Sequence, residues 1–426
     1  QFPWIKERGF YSILEFTGSL PYHESRQHIR AVHNNLIIIC HPEMSSSRNN
    51  KTRVLFIIPA LGRGGAETQL IDLVNHLDHD LYDIRLVAFN PYIDQLDRLN
   101  IESDRFFHLL RKKKLDSSII AQIARLIDEH EIDIVHCTMQ FALFMGWLAR
   151  RRSVRKPRLI AAIHTTKNVM LKTELLDRSL YRWILRDCCK VVFVCHTQAD
   201  YWADKFPELK EKSVVVYNGV DAQKYSVESV QGRDLELRRE LGISDTSAIL
   251  SCVAGFRREK GHALLIDAFH RAELADATLV LAGDGVLRPQ LTAQVEKLGL
   301  KDRVIFAGKV ADVRPLLLAS QLSVLSSTAV ETFSIAMLES MAMCVPVLAT
   351  DIGGLREAIT PGQTGDLMQP GQVEEMSAKI RTLMNDKTKC EEMGTTARQL
   401  VLIKFTNESM AAQMQTVFQD AVSEAG

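Results

Sequence analysis

VLFIIPALGRGGAETQLIDLVNHL, residues 54–77, sets the architecture of the chain. Its opening run is apolar at successive positions from Val54 to Ile58, the pattern of a strand covered on both faces. Gly62, Gly64 and Gly65 interrupt it, and apolar residues return at helical spacing through TQLIDLVNHL. A strand that leads through a glycine turn into a helix is half of a crossover unit, and repeated crossovers build a parallel sheet.

The succession recurs. DIRLVAF (83–89), IDIVHC (132–137), RLIAAIH (158–164), KVVFVC (190–195) and KSVVVYN (212–218) read as further strands, with IIAQIARLIDEH (119–130) as one of the helices between them. The pattern restarts after about residue 226 with AILSCVAG (248–255), TLVLAG (278–283), RVIFAG (303–308), LSVLSS (322–327) and PVLAT (346–350), each expected to lead into a helix. The two halves repeat in kind, not in sequence. The expected fold class is α/β, two doubly wound Rossmann-like domains facing across a cleft. Their expected bounds are residues 51–225 and 226–404, with a helical tail over 405–426 crossing back to the first. Residues 1–50 are set apart: position 1 is not Met, and Met44 with SSSRNNK stands just before the first strand. They are expected to be either an extension or sequence upstream of a true start at Met44. LIIIC (36–40) is too short for a signal-peptide core.

Bulk properties exclude several classes. Formal net charge is +0, so nothing draws the chain as a whole to nucleic acid. No apolar run approaches the roughly 18 residues of a membrane span. The eight cysteines are scattered without a CxxC pair, which favours reduced thiols and a cytoplasmic protein.

In open parallel sheets ligands bind at the carboxyl ends of strands. After the first strand, Gly64 and Gly65 let backbone approach a ligand, or else form an ordinary tight turn. The loop is not GxGxxG, which argues against a nicotinamide cofactor. His164 ends RLIAAIH and His136 ends IDIVHC; each is either a satisfied structural group or, as a neutral imidazole, a partner for a substrate hydroxyl. In the second half, Arg257, Arg258 and Lys260 occupy the turn after AILSCVAG. Cations at a helix entrance oppose the macrodipole, a conflict that a bound pyrophosphate would remove. ETFSIAMLESMA (331–342) places Glu331 at the start of a helix expected near Phe333, where its plain role is to complement the dipole. It places Glu339 on the apolar side, where a carboxylate needs a partner, protein or ligand. Gly353-Gly354-Leu355-Arg356-Glu357 follows PVLAT. Together these strand ends suit a sugar nucleotide, with its charged diphosphate and many hydroxyls.

GGAE (64–67), NGVD (218–221), EKGH (259–262), LAGDGVL (281–287) and the E-x7-E element from Glu331 to Glu339, continuing SMAMCVPVLATDIGGLREAI, resemble the retaining GT-B glycosyltransferases of family GT4 over nearly all of residues 53–425. The resemblance implies transfer of a hexosyl or N-acetylhexosaminyl group from a nucleotide-sugar to a hydroxyl acceptor, in polysaccharide, lipopolysaccharide or glycolipid synthesis. It implies Glu331, His164 and Lys260 as catalytic groups. Donor contacts would come from Gly64, Gly65, Arg257, Lys260, Thr332, Phe333, Ser334, Ile335 and Glu339, with Glu339 on the ribose. No cofactor beyond the donor substrate is implied, and a UDP-sugar is expected ahead of a GDP-sugar. No DxD follows a strand, so no metal is expected. Two positions depart from the family pattern: Gly255 stands where many members have arginine, and ETFS (331–334) stands for EGFG. A sugar-nucleotide epimerase of the same architecture and a non-catalytic sugar-nucleotide- or glycan-binding protein are the competing readings.

Residues 51–225 carry a formal charge of about +5, concentrated in RKKK (111–114) and RRRSVRKPR (150–158). This is a solvated surface or a contact for an anionic membrane, which would suit a lipid-linked acceptor and a peripheral position on the inner face. No aromatic residues interleave as they would for nucleic acid.

Overall fold

Among the described residues, thirteen short strands lie in two sheets. A computed structural model describes residues 51–113, 115–165 and 171–424, all within the compact unit Asn50–Gly426. In the first sheet are β1 (Thr52–Ile58), β2 (Tyr82–Ala88), β3 (Phe106–His108), β4 (Ile134–Thr138), β5 (Arg158–Ile163), β6 (Lys190–Phe193) and β7 (Ser213–Val215), in the order β3-β2-β1-β4-β5-β6-β7. In the second are β8 (Ala248–Val253), β9 (Ala277–Ala282), β10 (Val304–Gly308), β11 (Ser320–Leu325), β12 (Val347–Thr350) and β13 (Gly365–Met368), in the order β10-β9-β8-β11-β12-β13. Neighbouring strands are parallel throughout. The fold class expected from the sequence is the one observed.

β1 shows why its sequence is apolar without alternation. Leu55 and Ile57 face one core with the helices Ser117–Glu129 and Gln140–Arg152. Val54, Phe56 and Ile58 face another with the helix Gly65–His76 and the C-terminal helix Asn407–Ser423. The C-terminal helix therefore completes the first sheet's core. Phe418 is fully buried, its ring 6.1 Å from that of Phe56 and 5.5 Å from that of Tyr82.

The chain crosses between the sheets twice, and the crossings lie side by side. The Val220 amide donates to the Phe405 carbonyl at 2.9 Å, and the Asn407 amide to the Val220 carbonyl at 3.1 Å. Gln69 clasps the same place, donating to the Gly219 carbonyl and accepting from its amide, each at 2.9 Å.

Three sequence expectations need correction. β3 and β13 were not anticipated: one has three residues, and the other starts Gly365-Asp366. After β12 comes a 3-10 turn, Leu355–Glu357, instead of an α-helix. The helix of the E-x7-E element starts at Ile335, not near Phe333, because the Ser334 side chain caps it by accepting from the Met337 amide. Residues 1–50, Lys114, Thr166 and Lys167 lie outside the described residues. Among the described residues no helix is long and apolar enough to cross a membrane.

If the C-terminal helix is integral to the first sheet's core, Phe418→Ala should cost about 3–5 kcal/mol in urea unfolding, the range for deleting a buried phenylalanine. A cost below about 1 kcal/mol would show that the helix is only loosely attached.

Candidate active site

The order of the second sheet reverses between β8 and β11, so the connections leaving these neighbours diverge and a crevice opens at their carboxyl ends. The two loops there are knitted together. The Thr328 amide donates to the Glu259 carbonyl at 2.8 Å, and the Ser326 hydroxyl to the Lys260 carbonyl at 2.9 Å. Gly261, at φ 68°, presses so close to the Ser326 carbonyl that a side chain would strike it. Across this seam the Lys260 ammonium pairs with Glu331 Oε1, which also accepts from the Ser327 hydroxyl at 2.8 Å. The Glu331 side chain is only 9% exposed, and a charge so enclosed needs this pairing.

Glu331 is not the dipole partner of a helix, as one sequence reading had it. It stands four residues before Ile335, and Ser334 does the capping. Arg257, expected beside Lys260, is 63% exposed and pairs with Glu259 at 3.1 Å; Arg258 is also exposed. Lys260 is thus the cation of this turn that meets Glu331.

Between Glu331 and the helix, each residue is tied to a different element. The Thr332 hydroxyl donates to the His164 carbonyl at 3.2 Å, and the Thr332 carbonyl accepts from the Gly354 amide at 2.7 Å. The Phe333 carbonyl accepts from the Asn218 side-chain amide at 2.7 Å, and the Phe333 ring is buried between Tyr217 and Phe405, at 5.1 and 5.2 Å. The first amides of the helix, at Ile335 and Ala336, have no acceptor within it by helix geometry. Gly65 lies against Ile335: a Cβ there would be 3.4 Å from Ile335 Cδ1. Gly64 precedes the first turn of the Gly65–His76 helix, with the Glu67 carboxylate folded against it. Glycine loop, His164 and the Glu331–Ile335 segment are therefore brought together. His164 is pushed down to about 4 by the protein packed around it, so its imidazole is neutral near pH 7. His136 is fully buried against the Phe56 ring and pushed down to about 3 by burial and by His164.

The arrangement has known counterparts. The model of the Glycosyltransferase Family 4 domain matches residues 63–224, and that of the Glycosyl transferases group 1 matches residues 234–400. The chain belongs to the group 1 (GT4) glycosyltransferases. The chain is 28% identical to the N-acetyl-alpha-D-glucosaminyl L-malate synthase of Bacillus anthracis, over 72% of this chain and 80% of that one. A crystal structure of a Rickettsia africae glycosyltransferase superposes with a TM-score of 0.78 at 21% identity, covering 88% of this chain and 99% of that one. Anabaena HepE in complex with UDP-glucose superposes with a TM-score of 0.74 at 23% identity, covering 86% and 99%. The fold is that of the GT-B enzymes.

In this glycosyltransferase Glu339 has a partner within the chain. The Tyr225 hydroxyl donates to Glu339 Oε1 at 2.6 Å. Nothing in the sequence signals that contact, since the two residues lie 114 positions apart. Ser327 was missed too, although it sits four residues before Glu331 at the end of the strand pattern. Burial pushes the Glu339 carboxyl up to about 7; Tyr225, Lys224 and Arg98 favour its charged form, and Asp72 opposes it. A carboxyl raised in the folded state contributes stability that is complete below the ordinary carboxyl range and is lost as pH rises through 7. Glu339→Gln removes that titration. Measured by urea unfolding, the variant should gain on the parent by on the order of 2 kcal/mol between pH 4.5 and pH 8. A pH-independent difference would contradict the raised carboxyl.

Proposed function

We propose that this glycosyltransferase is a retaining enzyme that moves a sugar from a nucleoside-diphospho-sugar to a hydroxyl acceptor. The observation that carries the reading is the Lys260–Glu331 pair, set at the strand-order reversal beside an open helix N-terminus. Lys260 and the amides at Ile335 and Ala336 would hold the diphosphate, where negative charge builds as the glycosidic bond breaks. Glu331 would face hydroxyls of the transferred sugar, and His164, neutral and adjacent, would contact its far side. Glu339 would accept from the ribose hydroxyls. Gly64 and Gly65 would close over the diphosphate from the first sheet's side, and Thr332, Phe333 and Ser334 would shape the donor loop. Arg257 would lend charge from the rim.

The acceptor oxygen attacks from the face the nucleotide leaves, its proton passes to the departing phosphate oxygen, and configuration at the anomeric carbon is kept. This needs no covalent enzyme nucleophile. Donor groups come from both sheets, so we take residues 51–225 and 226–404 as lobes that close on the substrate, with 405–426 carried by the first.

A UDP-sugar is favoured over a GDP-sugar by the likeness to HepE, whose structure holds UDP-glucose. An N-acetylhexosaminyl or hexosyl group accords with the names of the similar proteins. We take the acceptor to be a glycan or a lipid-linked glycan and the protein to be cytoplasmic, with peripheral contact at an anionic membrane. That contact would fall to the basic segments RKKK (111–114) and RRRSVRKPR (150–158); in the second, Arg151 and Arg152 are exposed, while Arg150 pairs with Asp187 at 3.2 Å and Arg158 with Glu424 at 3.4 Å.

Glu331→Ala should lower sugar transfer by at least about 100-fold, while Glu339→Ala should weaken UDP binding by roughly 10- to 100-fold in calorimetry. Unchanged transfer in the first variant, or unchanged UDP affinity in the second, would remove that residue from the site. Incubation with a UDP-sugar and no acceptor should yield no interconverted sugar nucleotide; its appearance would favour an epimerase.

A further inference from the structure

Glu357 closes the GGLRE turn, and its carboxylate reaches a different element from the rest of that turn. It accepts from the amides of His196 and Thr197 at 2.8 and 2.7 Å, from the Thr197 hydroxyl at 2.7 Å and from the Tyr217 hydroxyl at 2.8 Å. His196 and Thr197 begin the helix His196–Lys205, which follows β6 of the first sheet. Their amides have no acceptor inside that helix, and its N-terminus carries the positive end of the dipole. The four donors outweigh the partial burial of Glu357 and hold its carboxyl below the usual range.

The other end of the turn rests on the donor loop. Gly353, at φ 58°, sits against the Glu331 carbonyl so tightly that no side chain would fit. A Cβ on Gly354 would lie 2.6 Å from both Cβ and Sγ of Cys195 and 2.8 Å from the Thr332 carbonyl oxygen. Cys195 is the residue that precedes the His196–Lys205 helix. The turn is therefore wedged between the N-terminus of a first-sheet helix and the backbone of Glu331–Thr332, and the Gly354 amide bonds the Thr332 carbonyl at 2.7 Å. Two glycines in a row are what permits the wedge to close.

We infer that Glu357 is a positioning residue for sugar transfer: it fixes the GGLRE turn to the first sheet and, through Gly354, sets where the Glu331–Thr332 backbone lies. The inference rests on the proposed role of Glu331 toward the sugar. Glu357 touches no substrate. Its action is mechanical, since a carboxylate with four donors locks the turn, and the turn leaves the donor loop no room to shift toward Cys195.

The test measures kcat, KM for the nucleotide-sugar and UDP affinity in Glu357→Gln and Tyr217→Phe, singly and combined. Tyr217→Phe keeps the ring that packs on Phe333 and removes only the hydroxyl. Glu357→Gln should lower kcat by about tenfold or more, the scale of a small misplacement at a reacting centre. UDP affinity should stay within roughly twofold, because the nucleotide-holding groups of the second sheet are untouched. Tyr217→Phe should lower kcat less and add little to Glu357→Gln, since both cut one link. A kcat equal to the parent's in both variants would overturn the inference, as would equal losses of kcat and UDP affinity, which mark general damage. If Glu357→Gln does not fold, Tyr217→Phe alone decides. Glu331→Ala run in parallel separates the two readings: loss of transfer there with an unchanged Glu357→Gln kcat sinks only the positioning role, whereas retained transfer in Glu331→Ala sinks the site.

Discussion

A parallel sheet whose strand order reverses cannot close over its own carboxyl edge. The connections leaving β8 and β11 run to opposite sides, and the gap between them is filled by side chains or by ligand. Here Lys260 and Glu331, 71 positions apart, meet across that gap. Taking both charges out of water costs several kcal/mol each, which their attraction repays only with good geometry and further hydrogen bonds. Ser327 supplies one such bond. A pair of this kind contributes little net stability, and hydrophobic residues would serve a core better. Its place at the reversal point accords with the role proposed above, in which a cation and an anion are kept where a diphosphate and a sugar would lie side by side.

The rest of the structure holds the loop that bears Glu331. Its four residues 331–334 are fixed from separate directions by His164, Gly354, Asn218 and the helix cap at Ser334. Two of these anchors use main-chain carbonyls of the loop, those of Thr332 and Phe333, which do not depend on the loop's side chains. The exceptions are the Ser334 cap and the Thr332 hydroxyl, the second of which reaches the first sheet's side. A glycine at position 332, as in the EGFG form that the sequence departs from, would have no group to reach the His164 carbonyl. The departure from the EGFG pattern at Thr332 is, in the structure, a bond to the segment that follows β5 of the first sheet.

How much was legible follows from what each feature depends on. Strands such as β1 and β9 announce themselves because burial on both faces demands unbroken apolar runs. β3 and β13 lie at sheet edges and need only a few bonds to one neighbour, so they carry no such run. Loops that follow strands could be named as site candidates in order, because parallel topology sends them all to one edge. Which side chains meet on that edge could not. Lys260 was matched to a phosphate and Glu331 to a helix dipole, yet they bind each other, and Arg257, chemically equal to the task, turned out exposed beside Glu259. The outcome depends on a loop path of a few residues, which periodicity does not encode.

Glu339 shows the same limit from the side of energetics. The sequence requires that a carboxyl on an apolar helix face have a partner, and Tyr225 meets that demand with one hydrogen bond. One donor does not offset the burial, so the group sits near the midpoint of its titration at pH 7. For a purely structural glutamate this would be a defect, since a glutamine would fill the space without the pH-dependent loss. For a contact to a vicinal diol it is useful. Hydroxyls approaching the carboxyl bring the donors it lacks, favour ionisation, and form bonds strengthened by the same low polarity that raised the group. A buried carboxyl held by the Tyr225 hydroxyl still has oxygen lone pairs to accept from hydroxyls, and that, not the presence of an acidic residue as such, is the ground on which the nucleoside is proposed beside it.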